Sequence, residues 1–202
     1  MRHIILRLVC TLGSFSIASL GFSPLESWAI ELSPTKAQID QAVDQGLMAA
    51  KKRVPPNQLY AWFGSEQELE PKGFLMTKMN GLVVMASHFG LRREEPSGLE
   101  IDRIVSEKTM LVSVTIFGPT PTFAKDSYIV LKQENKLVKP VKVRFDGVAH
   151  RTRVWPKEPR YKAKVIGSFG YDAFDPKAVT NIIVFPSEGG EVSFEIDFSS
   201  VP

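Results

Sequence analysis

Residues 191–198 read EVSFEIDF, and their alternation is the clearest structural signal in the chain. Val192, Phe194, Ile196 and Phe198 fall on one side, while Ser193, Glu195 and Asp197 fall on the other. That two-residue period belongs to a half-buried β-strand. Read backwards, the same period persists to about residue 109. It predicts strands at 110–117, 127–133, 137–145, 149–155, 161–169 and 180–185, in addition to 191–198. Turn-prone pairs separate most of them, including Gly118-Pro119, Asp146-Gly147 and Gly189-Gly190. Seven short strands in about 90 residues predict an antiparallel β-sandwich of immunoglobulin-like class. A fold of that class carries no function by itself.

Ahead of residue 109 the apolar period is helical. Ser33-Pro34 reads as a helix start, with Ser33 as N-cap and Pro34 in the first turn. Ile39, Ala42, Val43, Leu47 and Ala50 then recur at three- and four-residue steps. Lys51, Lys52 and Arg53 suit the negative carboxyl end of that helix, and Pro55-Pro56 stops it. The segment 73–97, GFLMTKMNGLVVMASHFGLRREEPS, has two readings. Asn80-Gly81 is a hairpin signal, but strand alternation fails at Lys78 and Ser87. Leu75, Met79, Leu82, Val83, Ala86 and Phe89 instead make a helical stripe, so a helix is expected over 77–92 and a short helix or turn over 98–107. The expected division is a leader at 1–29, a mainly helical region at 30–108 and the sandwich at 109–202. The fold class is therefore α+β, with the helical segment packed on or preceding the sandwich.

The first 29 residues, MRHIILRLVCTLGSFSIASLGFSPLESWA, have the build of a secretory signal. Arg2 and Arg7 charge the start, an apolar run follows, and Ser27-Trp28-Ala29 supplies a cleavage site; a cut after Ala18 or an uncleaved anchor are the alternatives. No other stretch reaches transmembrane length. The single cysteine, Cys10, lies in this leader, so the remaining chain has no thiol for disulfides, metal ligation or nucleophilic catalysis. These features predict an exported protein, periplasmic in a bacterium or extracellular.

Residues 30–202 carry 23 Lys and Arg against 21 Asp and Glu, a balance that gives no nucleic-acid signal. The charges are blocked, however. Residues 136–164 hold ten basic residues against Asp146 and Glu158, whereas 165–202 hold six acidic residues against Lys177. Mutual neutralisation in the fold is the plain expectation.

Catalytic and metal constellations are not found. His88 and His150 lie on separate elements without ligand spacing, and no G-x-S-x-G elbow occurs. The carboxylates of GYDAFDP, Asp172 and Asp175, read as turn formers, and no cofactor motif is present.

Two candidate sites remain. Residues 149–164, AHRTRVWPKEPRYKAK, read as a hairpin across Pro156–Pro159. In the simplest register Trp155 faces Arg160, Arg153 faces Lys162 and Arg151 faces Lys164. All six would share one outward face suited to an anionic glycan, a lipid headgroup or an envelope protein, at the cost of opposed like charges. The alternative is an apolar-ligand pocket between helices and sandwich, lined by Tyr60, Trp62, Phe63 and Phe89. The sequence thus favours an exported non-catalytic binding or scaffolding module, then a small-molecule carrier, and last a carboxylate or serine hydrolase.

Overall fold

The structure, a computed structural model, describes residues 30–201; the expected leader, with Cys10, lies outside the described residues. Among the described residues three α-helices accompany ten strands in two antiparallel sheets.

Helix α1 spans Lys36–Lys51 and is capped by Thr35, two residues later than expected. The Thr35 hydroxyl accepts the Gln38 N–H at 3.3 Å while the Gln38 side chain accepts the Thr35 N–H at 2.7 Å. This reciprocal box satisfies two donors at once, which Ser33 could not do because Lys36, three residues on, has no side-chain acceptor. Helix α2 spans Lys78–Leu91, where the helical stripe was expected. The Thr77 hydroxyl accepts the Asn80 N–H, so the Asn80-Gly81 pair forms the first turn of a helix rather than a hairpin. Helix α3 spans Gly98–Val105, opened by Ser97, whose N–H donates to Glu100 at 2.6 Å. The hydrogen bonds from Ser97 hold the Glu100 carboxyl below its ordinary range.

α1 and α2 pack through small residues. A Cβ on Gly46 would stand 2.3 Å from the Val83 carbonyl oxygen and 2.7 Å from the Ala86 Cβ. Ala42, Ala49 and Ala50 continue the close approach on α1. Met79, Leu82 and Val83 form a small core there, with Ile101 and Ile104 of α3 packed against it.

The strands are β1 (Ala61–Gly64), β2 (Lys72–Met76), β3 (Thr109–Gly118), β4 (Tyr128–Gln133), β5 (Lys136–Val138), β6 (Lys142–Phe145), β7 (His150–Arg151), β8 (Tyr161–Gly170), β9 (Val179–Phe185) and β10 (Val192–Asp197). The first sheet runs β1-β2-β3-β8-β6, with β7 also on β8; the second runs β10-β9-β4-β5. The orders β2-β3-β8-β6 and β4-β9-β10 reproduce the ABED and CFG sheets of an immunoglobulin-like sandwich. α2 and α3 occupy the connection between its first two strands. Sheet pairing therefore crosses residue 109, because Met76 of β2 pairs with Leu111 of β3.

Two expected strands change. The stretch 137–145 divides into β5 and β6, which belong to different sheets; Pro140 lies between them and has no N–H for a ladder. The stretch 149–155 shrinks to His150–Arg151.

The core between the sheets is assembled from Met110, Val112, Val114 and Ile116 of β3, Val165 and Phe169 of β8, and their partners Ile129, Leu131, Ile182 and Val184. Phe63 from the edge strand also turns inward. Its ring occupies the space above Gly73 that a Cβ would fill, and it meets Phe194 at 5.1 Å.

Candidate anion-binding face

The outer side of the first sheet follows from register. Directly paired residues share a face, so the rows Phe117–Lys162–His150, Lys72–Thr115–Lys164, Phe74–Ser113–Ile166–Arg144 and Met76–Leu111–Ser168–Lys142 all point away from the core. Five cations are thereby placed on one sheet face. Lys162, Lys164, Lys142 and Arg144 lie on the β8–β6 side, and Lys72 approaches from β2. The apolar members Phe74, Met76 and Leu111 lie on the opposite side of the same face.

Lys72, Lys162 and Lys164 line one hollow of about 460 Å³, floored by Thr115 and Phe117. His150, Glu68 and Asp146 complete its rim. Neither acid is ion-paired with the lysines. Glu68 is ion-paired with Arg153 at 3.0 Å, and Asp146 accepts the backbone N–H of Lys164 at 2.8 Å. Lys72, Lys162 and Lys164 belong to none of the ion pairs among the described residues. A second hollow of about 780 Å³ continues the face toward the helices, where Arg103 of α3 joins Lys142 and Arg144 beside Leu111.

The register expected for residues 149–164 is corrected. Arg151 pairs with Tyr161 and His150 with Lys162, so Arg151 does not face Lys164, nor Arg153 Lys162, nor Trp155 Arg160. The Thr152 N–H donates to the Arg160 carbonyl at 2.8 Å, and its hydroxyl donates to the Pro159 carbonyl. Residues 153–159 are consumed by turns, since Pro156 and Pro159 can donate nothing to a ladder. The opposition of like charges disappears with that register. Lys164 faces Thr115, and Lys162 lies between Phe117 and His150.

The six residues consequently separate. Lys162 and Lys164 stay on the outer face. Arg151 falls in the inward row of Tyr161 and stacks its guanidinium 4.2 Å from the Trp155 ring centroid. Arg160, expected against Trp155, instead pairs with Glu158 at 2.8 Å. Lys72 escaped the sequence reading because β2 carries apolar residues on both faces, which erases the two-residue period.

The residues of the apolar-pocket alternative also divide. Tyr60 and Trp62 form an aromatic group with Phe74, at 4.5 and 5.3 Å from its ring centroid. Tyr60, Trp62 and Phe63 border a cavity of about 320 Å³ beside Ile196 and Val201. Phe89 is elsewhere, on α2, under the Arg92 guanidinium at 4.5 Å. The ring of Phe63 belongs to the sandwich core.

The opposite charge blocks do not cancel through contacts. No ion pair among the described residues joins 136–164 to 165–202. Glu195 and Asp197 project from β10 on the outer side of the other sheet, and hydrogen bonds from Ser199 hold the Asp197 carboxyl below its ordinary range. Asp175 is fixed as a turn by Gln133, which bonds both its N–H and its carbonyl. Among the described residues no three His, Cys, Asp or Glu side chains gather as a metal-holding group, and no helix is long and apolar enough to cross a membrane.

No family model and no curated protein matches the chain. Among solved structures, the chain is similar to the archaellum periplasmic stator protein complex FlaF and FlaG from Sulfolobus acidocaldarius, at 15% identity and a TM-score of 0.27, over 44% of this chain and 77% of that one. The stator protein FlaG from the same organism gives 15% identity and a TM-score of 0.27 over 45% of this chain and 88% of its own.

Proposed function

We propose that this protein is an exported, non-catalytic binding or scaffolding module of the cell envelope that engages an anionic partner through the outer face of its first sheet. The observation that carries the reading is the convergence of Lys72, Lys162 and Lys164 on one hollow without an ion-pair partner among the described residues. Three ammonium groups held on β2 and β8, the two strands that flank β3, form a positive field that favours anions and weakens with salt. Export is supported by the leader-like composition of residues 1–29.

The test is retention on a soluble or immobilised polyanion, such as dextran sulfate or polyglutamate, across a salt gradient. Changing Lys72, Lys162 and Lys164 together to Ser is expected to lower the eluting salt concentration sharply. Elution identical to the parent chain would overturn the assignment of this face.

A further inference from the structure

β6 and β7 pair with successive parts of β8, so residues 141–151 run along one open edge of the first sheet. Exposed apolar side chains recur along this edge: Val141 at 74%, Val148 at 71% and, in the adjoining turn, Trp155 at 43%. Cations are interleaved with them. Lys142, Arg144 and Arg151 flank the valines, and none of the three is ion-paired among the described residues. Exposed apolar groups inside a strongly basic edge gain nothing from a purely polar anion. They do gain from a surface that offers negative charge outside and hydrocarbon just beneath.

We propose that this edge docks on an anionic lipid surface, with Val148, Val141 and Trp155 entering the headgroup layer while Lys142, Arg144 and Arg151 meet lipid phosphates. This rests on the reading of the chain as a module for anionic partners, and it names the partner's chemistry. A sugar polymer fits the edge less well. One face of the Trp155 ring already carries the Arg151 guanidinium at 4.2 Å, and exposed valines offer a glycan no hydrogen bond. A Trp set beside cations is also the pairing found at membrane–water interfaces. Val148 sits in the loop after Gly147 and is 71% exposed, so the valine can enter a bilayer without rearranging the sandwich.

The experiment is co-sedimentation of the full chain with phosphatidylcholine vesicles, with and without phosphatidylglycerol, beside the polyanion elution described above. The parent chain is expected to bind only the anionic vesicles. Lys142→Ser with Arg144→Ser should weaken that binding by roughly thirtyfold, given the usual contribution of two cations near an anionic membrane. Val148→Ser, an uncharged change at an exposed loop position, should weaken vesicle binding while leaving polyanion elution unchanged. Parent protein that is retained by polyanions yet ignores anionic vesicles overturns the lipid inference and leaves the functional reading standing. Failure with both ligands overturns both. Vesicle binding that Val148→Ser does not change overturns the assignment to this edge, including the case in which the leader itself inserts.

Discussion

Strand β8 presents two surfaces built from consecutive residues. Ala163, Val165, Gly167 and Phe169 face inward and are buried, with Phe169 fully so, whereas Lys162 and Lys164 face outward and are exposed. The inner set meets β3 partners of matching shape: Ile116, Val114, Val112 and Met110. The outer set has no charged partner, and the flanking acids are engaged with Arg153 and with backbone. The inner face accounts for folding through buried apolar area. The outer lysines, exposed and in no ion pair among the described residues, are expected to contribute little to stability.

The most severe challenge to that contrast is Phe169→Ala, which should destabilise the protein by about 3–5 kcal/mol through lost burial and a residual cavity. Urea or thermal unfolding checks it, and a loss below about 1 kcal/mol would mean that the inner face is not where stability resides. The triple Ser variant of the outer lysines is the counterpart: its unfolding midpoint should match that of the parent chain.

Next in size is Gly46→Ala in the helix pair, a core built on close approach instead of bulk. The new Cβ would collide with the backbone of α2, which costs about 1–3 kcal/mol when a packed core is overfilled. Alanine's better helix propensity returns only about 1 kcal/mol. A net loss in chemical unfolding is expected; a stabilised variant would show that α1 and α2 separate freely.

The smallest effect concerns Tyr171, which closes the end of the sandwich nearest α2. Burial pushes its phenol above the ordinary value of 10.0, and the nearby Lys78 backbone N–H offsets only part of that. The Lys78 ammonium lies 5.3 Å from the ring centroid and donates to the Leu32 carbonyl at 2.8 Å. A raised acid favours the neutral form in the fold. Its contribution is therefore complete below pH 10 and is lost as pH rises through the folded-state value. Tyr171→Phe should remove that part of the alkaline loss, seen by comparing urea midpoints on either side of pH 10.

Local chemistry made much of the fold legible. Alternation located β3, β4, β8, β9 and β10, because in each every second residue enters the core while most of those between are less buried. The stripe of Met79, Leu82, Val83 and Ala86 located α2 against the rival hairpin signal of Asn80-Gly81. β1 and β2 were not legible as strands, since they are short and carry aromatic or aliphatic residues on both sides. The candidate face was only half legible: Lys162 and Lys164 could be read, whereas Lys72 could not.

By itself the sequence determined the sandwich class, a helix over about 77–92, the leader-like start and a basic stretch with an outward component. These all rest on periodicity or composition, which act over neighbouring residues. Only the tertiary structure decided which cations share a surface. That depends on strand order and on register, and a turn that absorbs residues 153–159 moves every side chain beyond it relative to its partner. A lysine from β2 and two from β8 lie 90 and 92 residues apart along the chain, from Lys72 to Lys162 and Lys164, and meet because β3 runs between their strands.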